Sequence, residues 1–292
     1  MGPHRGAQGE GRHRVSAGNL DGLGYRGATV VLTGGASGMG EAAARLLGDL
    51  GATVHIVDIA EPKVACASFT RLDLGDLDAV RAATARLRKL GPIDFLFPIA
   101  GVPPHNVGSL ACMMINYAGT RLFTEEMLPA VRDGGSVCLI TSTAARGWLH
   151  HLAENLEIVA LPPDAVRGFY EANPDKLRDG YSASKELLTV WIHQAAIRLA
   201  EQRRIRINGI APCATGTPFM EESAKHLGQA FMDSYPHPLL GRMPTGEEQA
   251  WSLLLLSSPL NAAVTGAVLA TDEGNVGGMI TGALTPSYMQ AK

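Results

Sequence analysis

The chain has 292 residues, of which 46% are hydrophobic and 18% charged, with a formal charge of −3. That length supports one large folded domain, and the slight negative charge offers nothing to a nucleic-acid backbone or an anionic membrane. No apolar run approaches a membrane span, and Cys66, Cys112, Cys138 and Cys213 form no CxxC pair. They read as reduced thiols of a cytoplasmic protein, with no disulfide framework and no metal site.

Residues 1–24 are rich in Gly, Arg and His and lack an apolar stretch, so they are not a secretory signal. Such a segment buries too little apolar surface to offset its ordering entropy, and disorder is expected through about Gly22. An Arg-rich targeting leader is the alternative, although no amphipathic period supports it.

From Tyr25 the pattern is regular. "ATVVLTGG", "ATVHIVD", "IDFLFPIAG", "GSVCLITS", "IRINGIAP" and "AVLATDEG" are short apolar runs with the marks of buried parallel strands. Between them lie helical periods, notably "GEAAARLLGDLG", "LDAVRAATARLRKLG", one long helix over "SLACMMINYAGTRLFTEEMLPAV", and "SASKELLTVWIHQAAIRLAEQ". Strands alternating with helices predict an α/β fold: a doubly wound parallel sheet of Rossmann type with helices on both faces. Residues 25–292 form one domain in this reading.

The first strand-to-helix turn, "TGGASGMG", places Gly34, Gly38 and Gly40 where backbone N–H groups and the positive helix end can receive a diphosphate. The spacing is TGxxxGxG rather than GxGxxG. Asp58 closes the second strand. It either accepts both adenosine ribose hydroxyls or is a turn aspartate. A carboxylate there repels a 2′-phosphate, and no Arg or Lys lies in the turn or directly after Asp58, so NAD is expected over NADP. Asp73, followed by Leu74, meets the adenine amino group or caps the next helix.

"GYSASKELL" puts Tyr181 and Lys185 one helical turn apart. Together with TGxxxGxG, Asp58, Asn116 in "INYAG" and Ser142 in "LITSTAA", the order resembles that of the short-chain dehydrogenase/reductase family. Within it the chain is most similar to the bacterial 3α-hydroxysteroid dehydrogenase/carbonyl reductase type. The resemblance covers about residues 25–275 and implies a hydride-transferring enzyme of homodimeric or homotetrameric assembly. Its cofactor site would comprise Gly34, Ser37, Gly38, Met39, Gly40, Asp58, Asp73, Leu74, Ala100, Gly101, Tyr181, Lys185, Pro212, Thr215 and Thr217. Tyr181 would exchange the alcohol proton, its pKa lowered by Lys185 and by oxidised nicotinamide. Ser142 would orient the substrate oxygen. Asn116 would anchor a water leading from Lys185, or is a buried asparagine bonded to backbone. Two departures stand out: "PIAG" replaces NNAG at Pro98–Gly101, and Cys213 stands where glycine is usual, which would be strained if φ were positive.

Ser142 and Tyr181 are separated by an insertion, residues 146–180, too long for a plain loop. Two short helices there form a lid, with Trp148 and Leu149 facing an apolar pocket, or a surface elaboration. After Thr217, Phe219, Met220, Phe231 and Met232 recur at helical spacing and close over a greasy alcohol or simply pack. These features favour a hydrophobic secondary alcohol or ketone, steroid- or terpenoid-like. The rival functions are a non-catalytic NAD-binding sensor and a dehydratase or epimerase using the same tyrosine.

Overall fold

The computed structural model describes residues 20–228, 232–233 and 235–285. Seven parallel strands form one sheet in the order β3-β2-β1-β4-β5-β6-β7. They are β1 (Thr29–Thr33), β2 (Thr53–Asp58), β3 (Ser68–Arg71), β4 (Ile93–Pro98), β5 (Val131–Ile140), β6 (Arg206–Pro212) and β7 (Val268–Thr271). Strand β3 escaped the sequence reading because "SFTR" is a half-buried edge strand without a continuous apolar run. Strands β2 and β4 flank β1, so the winding reverses there, and the C-terminal ends of β1 and β4 open a crevice.

Both sheet faces are buried, as a parallel sheet requires. Alternate residues of one strand serve opposite cores. Val30 and Leu32 join Leu47, Ile56, Phe97 and Leu254 on one face. Val31 joins Leu96, Met113, Phe123, Leu187 and Trp191 on the other. Helix α1 (Gly38–Asp49) belongs to the first layer and α2 (Leu77–Leu87) to the second. Asp76 caps α2 by accepting from the N–H groups of Asp78 and Ala79 at 3.1 and 2.9 Å.

The long helix expected after β4 is three pieces: α3 (Ser109–Met113), a π-helical turn over Met114–Gly119, and α4 (Thr120–Met127). Gly119 marks the reason. A Cβ there would lie 1.9 Å from the Leu74 carbonyl, so the helix passes the end of β3 at backbone contact. The insertion holds α5 (Leu152–Val159) and α6 (Ala165–Ala172), and α7 (Tyr181–Arg203) follows. After β6 come α8 (Pro218–Leu227), α9 (Gly246–Ser257) and α10 (Asn275–Thr281). Helix α9 opens with a capping box between Thr245 and Glu248 and buries Leu253 and Leu254.

The N-terminal expectation needs correction at its inner edge. Asp21–Leu23 form a 3-10 turn, Leu23 is buried, and the Tyr25 hydroxyl donates to Leu254 O at 2.6 Å. Residues 1–19 and Phe231 lie outside the described residues.

Candidate active site

A cleft of about 860 Å³ runs along the C-terminal ends of β1, β2, β4, β5 and β6. At its head is the glycine turn. Gly34 has φ 79° and Gly38 φ 58°, both left-handed. A Cβ on Gly34 would sit 2.7 Å from Ala100 Cα, and one on Gly40 would sit 1.9 Å from Gly34 O. The first spacing joins the loops after β1 and β4; the second lets α1 start directly beneath the turn. Ser37 is the extended residue before α1, and Met39 stands in its first turn. Thr217 closes the other side, 3.3 Å from where a Gly38 Cβ would be. The turn thus presents bare backbone and a helix N-terminus to the cleft, a fit for a diphosphate.

Asp58 Oδ2 accepts from Ala36 N and Oδ1 from Ala60 N, both at 2.9 Å. The carboxylate therefore steadies the glycine turn, and each oxygen keeps a lone pair for a ribose hydroxyl. Asp73 accepts from Gly75 N at 2.8 Å. With Asp76 as the cap of α2, the helix-cap alternative for Asp73 falls away, and it lines the cleft beside Leu74. Arg71, overlooked in the sequence, pairs in register with Asp58 across β2 and β3. Its guanidinium donates to Ile59 O at 2.5 Å and lies over the Phe69 ring, outside the cleft lining. Ala100 and Gly101 pass beneath the same region, and Pro212, Thr215 and Thr217 line the wall opposite. Cys213 is buried and has no positive φ, so the replacement of glycine brings no backbone strain.

Four side chains converge midway. Tyr181 begins α7, and its phenol lies in the cleft with Ser142, just past the end of β5. Ser142 Oγ also accepts from Ala144 N at 3.1 Å, which fixes the following 3-10 turn. Lys185 is buried, with Nζ 5.7 Å from the Tyr181 ring centroid and donating to Ile140 O at 2.9 Å. Burial pushes the Tyr181 phenol up to about 12, against the downward pull of the nearby Ser142 hydroxyl, and brings the Lys185 ammonium down to about 8. The depressed tyrosine expected from sequence is therefore not the property of these residues alone; desolvation dominates, and Ser142, not Lys185, supplies the downward pull.

Asn116 is fully buried in the π-turn. Its Oδ1 accepts from Val102 N at 2.8 Å, while Nδ2 donates to Val102 O at 2.9 Å and to Cys112 Sγ at 3.2 Å. Both amide hydrogens are used on the protein. The side chain braces the loop after β4, next to Gly101 and Lys185.

At the open end, Phe219 and Met220 line the cleft, with the Phe219 ring 5.8 Å from that of Tyr181. Trp148 and Leu149 do not. Trp148 packs edge-on against His193 of α7 at 5.0 Å, and Leu149 is 62% exposed. Of the insertion, only Arg146 and Asp179 at its two ends reach the cleft, because α5 packs on α7 and α6 on the π-turn. The lid expectation is corrected accordingly. Sequence reasoning also missed Pro103, His105, Tyr235 and Met279, which complete the wall. The His105 and His226 rings stack at 4.2 Å, joining the loop after β4 to α8. Only "PPHN", in the loop that follows β4, hinted at such a wall. Among the described residues no cluster of His, Cys, Asp or Glu has metal-site geometry.

A bare glycine turn at the switch point of a parallel sheet, leading to a phenol and an ammonium, defines the class as a Rossmann-type nicotinamide-dependent oxidoreductase. Comparison with known proteins agrees. The family profile described as short chain dehydrogenase matches residues 28–153, and that described as enoyl-(acyl carrier protein) reductase matches 171–275. Coniferyl-alcohol dehydrogenase of a Pseudomonas species is 30% identical over 251 residues, covering 84% of this chain and 95% of that protein. The 3-alpha-hydroxysteroid dehydrogenase/carbonyl reductase of Comamonas testosteroni is 28% identical over 84% and 95% of the two chains. The crystal structure of a 3-alpha-hydroxysteroid dehydrogenase from Pseudomonas sp. B-0831, complexed with NADH, superposes with a TM-score of 0.70 at 25% identity, covering 88% of this chain and 100% of that one. The chain belongs to the short-chain dehydrogenase/reductase family, as an enzyme acting on CH–OH groups. The two family profiles leave 154–170 unmatched, which falls on α5 and α6.

Proposed function

We propose that the protein interconverts a hydrophobic secondary alcohol, steroid- or terpenoid-like, and its ketone, with NAD(H) as cofactor and Tyr181 as general acid/base. The observation that carries this reading is the meeting of Tyr181, Ser142 and Lys185 in one cleft beside an apolar wall of Pro103, Phe219, Met220 and Met279. Relatives named for coniferyl alcohol and for a hydroxysteroid support a ring-bearing alcohol. Asp58 favours an unphosphorylated ribose.

The bound dinucleotide supplies hydride exchange with the carbinol carbon. Ser142 orients the substrate oxygen, and Tyr181 Oη takes its proton during oxidation and returns it during reduction. Lys185 holds the nicotinamide ribose and stabilises the phenolate. With the oxidised cofactor bound, Tyr181 would lose its proton more readily than burial alone, which holds it at about 12, allows. Phe219 excludes water from the reacting atoms.

The chain acts as a homodimer or homotetramer in this reading, with the β7 edge and α10 carrying exposed Leu269 and Ile280. Four free thiols suit a reducing cytoplasm, and no described helix is long and apolar enough to cross a membrane.

The test is a screen of secondary alcohols with NAD and with NADP, watching the reduced cofactor appear. Turnover of apolar cyclic alcohols with NAD is expected, and a preference for NADP or for sugars overturns the reading. Tyr181→Phe should lower kcat about 10²- to 10⁴-fold while binding NADH normally; retained turnover removes Tyr181 as the base.

A further inference from the structure

Glu186 follows Lys185 on α7 but faces the insertion, and it is only 2% exposed. Three donor nitrogens of Arg178 and Asn155 surround its carboxylate, and the His151 ring, also 2.9 Å from Arg178 Nη1, closes the cluster. Arg178 reaches both oxygens, Nη1 to Oε1 at 3.0 Å and Nη2 to Oε2 at 2.9 Å. His151 Nδ1 lies 3.0 Å and Asn155 Nδ2 3.2 Å from Oε2. His151 and Asn155 stand on the chain entering the insertion, Arg178 on the chain leaving it. Gly147, which ends the 3-10 turn capped by Ser142, approaches the same group: a Cβ on it would lie 3.2 Å from Oε1.

Three residues, Arg178 to Gly180, lead into Tyr181, and each is fixed. Arg178 holds φ 54°, ψ −131°, a conformation a non-glycine residue keeps only when its surroundings over-determine it. Asp179 accepts from Ser182 N and Ser182 Oγ, both at 2.7 Å, securing the first turn of α7. Gly180, with φ 72°, leaves no room for a side chain, since a Cβ would stand 2.2 Å from Ser109 O. A bidentate guanidinium–carboxylate pair has the directional strength to hold such a segment.

We infer that the Arg178–Glu186 pair is a positioning device for the reaction: it closes the insertion at its base and thereby sets the Tyr181 hydroxyl against Ser142. The inference rests on the reading that Tyr181 carries the proton. Neither Arg178 nor Glu186 lines the cleft; both act through the backbone that leads to Tyr181.

Arg178→Met tests this. Misplacing a reacting group by an ångström costs up to about 100-fold, so kcat should fall about 10- to 100-fold while NADH affinity, measured by fluorescence, stays within about twofold. Amide hydrogens of Ser182 to Lys185 should exchange faster, with the melting point of the whole protein shifted far less than that exchange. Arg178→Lys should recover much of the loss. Unchanged kcat, a parallel loss of NADH binding, or a lysine variant no better than methionine would overturn the inference. If Arg178→Met does not fold, Glu186→Gln decides: the same fall in kcat at unchanged NADH affinity sustains it, and full kcat overturns it. Absence of alcohol turnover in the unaltered enzyme would instead sink the functional reading, and the exchange rates alone would then judge the brace.

Discussion

Lys185 carries a conflict between stability and use. Burial lowers its pKa from 10.5 to about 8. Between those values the unfolded chain holds a proton that the folded chain has lost, so stability rises with pH across that window. Below pH 8 the folded protein bears the charged ammonium at a cost of about 3 kcal/mol. Lys185→Met should therefore raise the melting temperature of the cofactor-free protein at pH 7 by several degrees and abolish most activity, with the gain fading as pH approaches 10.5. Thermal unfolding at the two pH values checks this; no gain at pH 7 means that the Ile140 hydrogen bond repays the burial. Tyr181 and Lys185 were legible in the sequence as a pair at helical spacing. Their protonation was not, because desolvation depends on side chains from β5, α8 and the loop after β4 that no local spacing reveals.

The elements that carry the site end at points of backbone contact. Gly180 is the sharpest case, with positive φ and a carbonyl 2.2 Å from any Cβ. Gly180→Ala should destabilise the protein by about 3 kcal/mol or more through strain and overpacking together, and chemical denaturation would show it as a lower midpoint. A midpoint equal to wild type would mean that Ser109 moves aside freely. Strands β1, β2 and β4–β6 were readable because burial on both faces leaves continuous apolar runs, and β7 because its short run is apolar although it lies at an exposed edge. The edge strand β3 and the break in the helix after β4 were not. The first lacks an apolar run, and the second answers to the end of a distant strand rather than to any residue in the helix.

For the molecule as a whole, the insertion is a wall of the core, not a cover for the cleft. Ile158, Val159, Val166 and Tyr170 are buried in the same cluster as Tyr117, Leu187 and Trp191. Replacing 148–178 by a short loop would uncover that surface, at about 1.5–3 kcal/mol for each large side chain. The shortened protein should melt well below the parent and aggregate; a soluble product of equal stability with altered alcohol selectivity would restore the lid. The sequence announced an insertion by length and two short helices by pattern. Which surface they cover was hidden, since their apolar stripes fit a pocket and a core equally well.

The π-turn at Met114–Gly119 has a consequence for how this chain can change. Its surplus residue offsets everything downstream, and removing one residue there would spin Leu122, Phe123 and Met127 by about 100° away from their seats. The segment can therefore accept exchanges of one side chain for another of like size, but it is locked in length: a single lost codon would turn a greasy seam outward and leave the sheet bare beneath it.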